Sequence, residues 1–167
     1  IRISEDASFY EHEGIDYFEL QESVKKNIEK KKLVRGASTI TQQLAKNLFL
    51  TTKKSFIRKF QEFFITKRLE MELSKNRIFH LYLNVIEFGP GIYGVESASN
   101  YFFKRKVSRL NIEQIIRLTA VIPRPLTIRP TSKRRWLLWR CRWISKKMYL
   151  YGYISRAQYN SLLRRFK

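Results

Sequence analysis

The stretch Gly36-Ala37-Ser38-Thr39-Ile40-Thr41-Gln42-Gln43-Leu44-Ala45-Lys46-Asn47-Leu48-Phe49 reads as a helix whose polar residues are spaced for a site. Ile40, Leu44 and Leu48 recur every fourth residue and form one apolar stripe, while Thr39, Gln43 and Lys46 line a neighbouring stripe with a single charge. A solvated helix face ordinarily carries more. Ahead of it, Arg35-Gly36-Ala37-Ser38 supplies a glycine and hydroxyls, with Ser38 or Thr39 as N-cap and Gln42 completing a capping box. Backbone N–H groups at such a terminus face an anion readily, and Lys46 adds positive charge nearby. Read as residues alone, an amphipathic core helix explains the stretch equally well.

The surrounding chain has 167 residues, 44% of them hydrophobic, enough for one buried core and about one domain, 1–167. Its formal charge of +20 requires an anionic partner: nucleic acid, an anionic membrane surface or a phosphorylated substrate. Residues 1–103 carry 16 Lys and Arg against 13 Asp and Glu, whereas residues 104–167 carry 18 against the single Glu113. Cys141 is the only cysteine, which excludes an intrachain disulfide and reads as a packed small hydrophobe. No run approaches the roughly 20 apolar residues that span a bilayer.

Along the chain, Ile1-Arg2-Ile3 alternates like a short strand. Glu5-Asp6-x-x-Phe9-x-x-His12-x-Gly14 follows, two adjacent carboxylates ahead of an aromatic and a histidine. Residues 16–35 read as a helix and then a basic, apolar connection containing Lys30-Lys31-Lys32. A long helix spans about 56–73, capped by Ser55, with Ile57, Phe60, Phe64 and Met71 supplying apolar surface and Arg58-Lys59-x-x-Glu62 in its first half. Ser74 caps the next helix, in which Ile78, Leu81, Tyr82 and Val85 make a core face. It carries Lys75-x-x-Ile78-x-x-x-Tyr82-Leu83-Asn84-x-x-Glu87-Phe88-Gly89, with Gly89-Pro90-Gly91 turning out. Asn111 and Gln114 form a capping pair, Pro123 and Pro125 stop the helix that follows, and Ser155 starts a last one carrying Tyr159, Leu162, Leu163 and Phe166. Trp136, Trp139 and Trp143, interleaved with Arg134, Arg135, Arg140 and Arg142, read either as a nucleic-acid surface or as a core-facing aromatic stripe with a basic outer face. The second is preferred, because the rest of the chain explains the anion.

Four of these stretches, in order, resemble the motifs of the peptidoglycan glycosyltransferases (glycosyltransferase family 51): Glu5 to Gly14, Gly36 to Phe49, Arg58 to Glu62, and Lys75 to Gly89. The resemblance runs to about residue 130; Ala37 stands where a second glycine is commoner, and Ile115-Ile116-Arg117-Leu118-Thr119 replaces a more alanine-rich helix. It implies a mainly α, lysozyme-like helical domain with a substrate cleft and a small membrane-facing flexible region near residues 16–35. It also implies a membrane anchor ahead of Glu5 and a place on the outer, periplasmic face of the bacterial inner membrane. The implied reaction is polymerisation of lipid-linked disaccharide-peptide (lipid II) into β-1,4 glycan with inversion and release of polyprenyl diphosphate.

In that picture Glu5 is the general base, with Asp6, Phe9 and His12 organising its loop. Gly36, Thr39 and Gln43 shape the donor cleft, with Ser38 and Asn47 counted among the substrate-binding residues. Lys46, Arg58 and Lys59 neutralise the developing diphosphate charge, and the second catalytic acid, Glu62, positions them or a divalent cation, Mg or Mn. Lys75 and Glu87 are secondary candidates, and Glu113 is a structural ion-pair partner. Expected partners are lipid II, the growing lipid-linked glycan, an anionic membrane surface and the cell-wall synthesis machinery, with no nucleic acid. The rival readings are a lytic, lysozyme-like wall enzyme, a basic nucleic-acid-binding domain and a catalytically dead membrane scaffold.

Overall fold

A computed structural model describes residues 1–30, 37–50 and 55–167. The chain folds as two units, one made of Arg2 and residues 4–85, the other of residues 86–167 with Ile1 and Ile3. Both are helical, as the sequence leads one to expect, with one short hairpin in the second.

The first unit contains α1 (Arg2–Glu5), α2 (Tyr17–Glu29), α3 (Ile40–Phe49), α4 (Phe56–Glu72) and α5 (Lys75–Val85). The strand expected at residues 1–3 is instead the start of α1. Asp6 N–H donates to Arg2 O at 2.8 Å and the Arg2 guanidinium to Ala7 O at 2.8 Å, which closes a turn that a lone strand could not offer. Side-chain oxygens satisfy orphan N–H groups at the helix starts: Asp16 accepts from Glu19 N at 2.8 Å, Ser55 from Arg58 N at 3.0 Å and Ser74 from Arg77 N at 3.3 Å. α3 is central and packs on both α4 and α5. Ile40, Leu44 and Ala45 are fully buried there, and Ala45 is small enough to admit a close neighbour.

α4 leaves its apolar surface uncovered. Phe56 is 96% exposed, and Ile57, Phe60, Phe64 and Met71 also lie in solvent, while Glu62 is 3% exposed and Thr66 is fully buried. The packed face of α4 is therefore the polar i, i+4, i+8 row Glu62, Thr66 and Glu70, and its apolar row is left outside. An exposed apolar surface of this kind marks an interaction surface.

In the second unit β1 (Glu87–Gly89) and β2 (Ile92–Tyr93) form an antiparallel hairpin with Glu87 opposite Tyr93 and Gly89 opposite Ile92. The turn needs a glycine, because Gly91 sits at φ +71. α6 (Val95–Phe103), a 3-10 turn (Val107–Arg109), α7 (Ile112–Val121), α8 (Arg135–Leu150) and α9 (Arg156–Arg165) follow. Both expected starts hold, with Asn111–Gln114 and Ser155–Gln158 forming complete capping boxes. α7 packs on α8 and α8 on α9 around Ile116, Val121, Leu137, Ile144, Leu162 and Phe166.

The tryptophans of α8 do not face this core. Its buried row is Leu137, Cys141, Ile144 and Ser145, and Trp139 is 52% exposed. Trp136 and Trp143 lie on the flank beneath cations: Arg124 is 4.8 Å from the Trp136 ring centroid, and Arg140 and Lys147 are 5.4 and 4.6 Å from that of Trp143. Two stripes one residue apart on a helix are both periodic, so spacing alone could not choose the inner one; aliphatic side chains pack there and the cations hold the indoles outside. Cys141 is a packed hydrophobe, its thiol pushed up to about 12 by burial.

Glu113, the one acid of residues 104–167, ties α9 to this unit. It accepts from Arg117 Nε at 2.9 Å and from Arg165 at 3.0 Å, while Arg117 lies 5.3 Å from the Phe166 ring centroid and Arg142 donates to Phe166 O at 2.6 Å. Burial raises the Glu113 pKa, but hydrogen bonds and charge from Arg117 and Arg165 outweigh it and hold the carboxyl below its ordinary value. A group depressed in the folded state contributes stability above its unfolded pKa and loses it as pH falls through the folded one. Glu113→Gln should therefore cost about 1 kcal/mol at neutral pH, in the range for partly exposed ion pairs, and nothing at acid pH. Denaturant melts at pH 7 and pH 3 check this; an equal loss at both would assign the effect to shape instead of charge.

Candidate active site

The loop after α1 is built around Asp6, which is 7% exposed. Its Oδ2 accepts from the Ile40 N–H at 2.9 Å, a free donor of the first turn of α3, and its Oδ1 lies 3.0 Å from His12 Nε2. Thr39 caps α3 by accepting from Gln42 N at 3.2 Å, Gln42 Oε1 accepts from Thr39 N at 3.0 Å, and the Thr39 hydroxyl donates to Gly14 O at 2.6 Å. The first and second sequence motifs thus meet at one helix terminus, joined by two hydrogen bonds, Ile40 N–H to Asp6 and the Thr39 hydroxyl to Gly14 O. Phe9, with no exposed surface, meets His12 edge-on at 6.3 Å and Phe79 at 5.9 Å. Asp16 accepts from the Ser8 hydroxyl as well as from Glu19 N. Burial pushes its pKa up, and these hydrogen bonds with the His12 charge bring it below its ordinary value.

Glu5, half-buried, ends α1 beside this clamp, with Ser4 Oγ 3.3 Å from its Oε1. Asp6 and His12 are spent on architecture and leave Glu5 as the carboxylate of the motif next to it. Gln43 Oε1 accepts from the Tyr82 hydroxyl at 3.0 Å, so the second and fourth motifs also meet, and Gln43 Nε2 reaches Ser38 O at 3.5 Å. Ser38, Lys46 and Asn47 are exposed. Gly36, the basic connection that includes Lys31 and Lys32, and residues 51–54 lie outside the described residues.

The third motif stands on α4. Lys59 donates to Glu62, a pair with one exposed and one buried member and so no ordinary surface bridge. Arg58 is half-buried, and its Nε has no hydrogen-bond partner among the described residues. It helps line an open groove of about 570 Å³ whose other walls are mostly apolar: Phe49, Leu50, Phe60, Phe64 and Ile65. A cation set in an apolar groove suits an amphiphilic anion.

Among the described residues, Asp6, His12 and Asp16 reach metal-ligating spacing. The four carboxylate oxygens already bond to His12, the Ile40 N–H, the Glu19 N–H and the Ser8 hydroxyl. The group is a pair of helix caps and does not fit a cation.

Sequence reasoning missed Glu70 and Thr41. The Thr41 hydroxyl donates to Glu70 Oε1 at 2.5 Å, and Lys75 Nζ lies 2.9 Å from the same oxygen. The signal was present as three polar residues at fourfold spacing, Glu62, Thr66 and Glu70, on a helix otherwise rich in phenylalanine.

Residues 1–149, which hold this clamp and the cations of α4, match the family described as Transglycosylase, and the chain belongs to that family. Among named relatives it is similar to biosynthetic peptidoglycan transglycosylases. It is 52% identical to that of Thiobacillus denitrificans over 122 residues, covering 73% of this chain and 53% of the relative. It is 46% identical to that of Methylobacillus flagellatus over 145 residues, 87% of this chain and 63% of the relative. For Janthinobacterium sp. (strain Marseille) the figures are 50% over 122 residues, 73% and 53%. The chain therefore spans between about half and two thirds of the length of these relatives.

Proposed function

We propose that this chain catalyses the polymerisation of lipid-linked disaccharide-peptide into β-1,4 glycan, with inversion at the donor anomeric carbon. The observation that carries the reading is the apolar groove with Arg58 in its wall. A lysozyme-type hydrolase must protonate a poor sugar leaving group and has no use for a cation in the wall of an open, mostly apolar groove. A diphosphate leaves as a stabilised anion and needs positive charge.

Glu5 takes the proton of the acceptor hydroxyl as its oxygen bonds to the donor anomeric carbon. The bond from that carbon to the diphosphate oxygen breaks, and the electron pair leaves with the diphosphate. Arg58, Lys59 and Lys46 stabilise that charge, with Glu62 fixing the ammonium of Lys59. Thr39, Gln43, Ser38 and Asn47 shape the donor side at α3. In place of Lys59, Mg or Mn held by the substrate diphosphate would find Glu62 as its carboxylate here.

The reading places the enzyme at the outer face of the inner membrane, working with other wall-building proteins. The aromatic row of α4, the exposed Tyr17, Phe18, Val24 and Ile28 of α2 and the basic excess of residues 104–167 support an anionic bilayer as its surface. Among the described residues no helix is long and apolar enough to cross a membrane.

The test is incubation of the purified chain with lipid-linked disaccharide-peptide in anionic and in neutral vesicles, with and without EDTA. Glycan should lengthen, faster on anionic vesicles, with that advantage lost in high salt. Shortening of added glycan without polymer would favour a lytic enzyme, equal rates on both vesicle types would remove the anionic surface, and EDTA decides the metal.

A further inference from the structure

Glu70 has been given no chemical role and Lys75 only that of a secondary candidate, yet they are partly buried charges against the loop that bears the acids. Their side chains are 9% and 21% exposed, and the Thr41 hydroxyl shares the Glu70 oxygen that Lys75 approaches. Lys75 Nζ also stands 4.5 Å from the centroid of Phe9. Phe9 meets His12, His12 holds Asp6, Asp6 holds the first turn of α3, and Asp6 is the residue after Glu5.

The same loop touches the same two helices elsewhere. Gly14 has φ +83, and a Cβ there would lie 2.8 Å from both Glu70 Cγ and Thr66 Cγ2, so the backbone rests directly on the stem of Glu70. The Lys67 ammonium donates to Glu13 O at 3.0 Å, and the Tyr10 hydroxyl donates to Asn76 at 3.0 Å. Stability alone does not account for a largely desolvated pair here, because well-packed apolar residues in place of such ions are often as stable or more so. What a charge pair provides and an apolar one does not is a fixed direction.

We propose that Glu70 and Lys75 are positioning residues for Glu5: they hold Phe9 and the start of α3, and through the Asp6–His12 contact they set where the Glu5 carboxylate stands. The proposal rests on the reading of Glu5 as general base. The cation over Phe9 fixes the floor of the loop, the Thr41–Glu70 bond fixes α3, and Asp6 spans the two.

The experiment compares Lys75→Met, Lys75→Arg and Glu70→Gln in the full chain, by polymerisation kinetics, melting and amide hydrogen exchange. Lys75→Met and Glu70→Gln should lower kcat by about 10- to 100-fold, the scale of misplacing a reacting group by about 1 Å. KM should stay within about twofold, since uniform binding is not what is lost. Lys75→Arg, which keeps a cation over the ring, should recover most of the rate. In Lys75→Met the amides of residues 6–12 and Ile40 should exchange about 10-fold faster, with those of α7–α9 unchanged. Unchanged kcat per folded molecule alongside a lowered Tm, or loop amides as protected as in the parent, would overturn the proposal and leave Glu5 untouched. A parent chain that lengthens no glycan would instead remove the reading of Glu5, and the proposal with it.

Discussion

Glu5→Gln is expected to lower glycan polymerisation by about 10²–10⁴-fold, the range attached to one general base, while leaving the thermal midpoint nearly unchanged. The carboxylate ends α1, half-buried, with Ser4 Oγ 3.3 Å from one oxygen. Glutamine keeps the size and an acceptor but cannot take a proton. The folding load of this corner is carried next door, where Asp6 receives the Ile40 N–H and faces His12. The two acids therefore separate by measurement: Glu5→Gln loses rate and keeps stability, whereas a lesion at Asp6 unfastens a helix terminus. Near-normal turnover in Glu5→Gln would end the assignment of the base. Loss of the fold would show that Glu5 too is structural.

Arg58→Ala should lower turnover of a lipid-diphosphate donor by about 10²–10³-fold, the scale for one group that stabilises developing charge. Arg58 is half-buried in the wall of an apolar groove, and its Nε has no hydrogen-bond partner among the described residues. A low-dielectric wall strengthens its attraction for an anion and makes its own unsatisfied donor costly, so an anionic ligand there answers both. Because the charge grows as the diphosphate leaves, kcat and kcat/KM should fall together. The melting midpoint should hardly move, since Arg58 makes no ion pair among the described residues and the groove face of α4 already lies open. A chain that melts early but turns over normally per folded molecule would make Arg58 a structural cation.

Much of the local structure was legible because it is set by neighbours in sequence. The capping boxes expected at Ser38 or Thr39 and at Asn111 are short-range hydrogen bonds between residues three apart, and they form at Thr39 and Asn111, while Ser155 starts its helix as expected. Glu113 as ion-pair partner also follows the sequence reading, and His12 stands 3.0 Å from Asp6 in the loop after Glu5. On α4 the apolar surface supplied by Ile57, Phe60, Phe64 and Met71 lies in solvent, and what sequence reading left out is that Glu62, Thr66 and Glu70 turn inward. The error arose where periodicity was real but ambiguous about direction. On α8 the tryptophans recur like a core face and stand beside it. A hydrophobic stripe marks what a helix must cover, and it carries no statement of what covers it.

By itself the sequence determined the helical class, the helix starts marked by capping residues, the motif order that places the chain in its family, and which residue types are available for proton transfer and for diphosphate charge. Those depend on spacing of a few residues and on side-chain chemistry, both local. Only the tertiary structure decided that Asp6 is a clamp on α3, that Gln43 reaches Tyr82, and that Glu70 binds Thr41 and Lys75. Each of these pairs groups from different helices or loops, and all but the last step to Lys75 span 29 to 39 positions along the chain. A buried polar group takes whichever partner the fold brings within about 3 Å, and nothing in the spacing of one helix names the residue that a second helix will present.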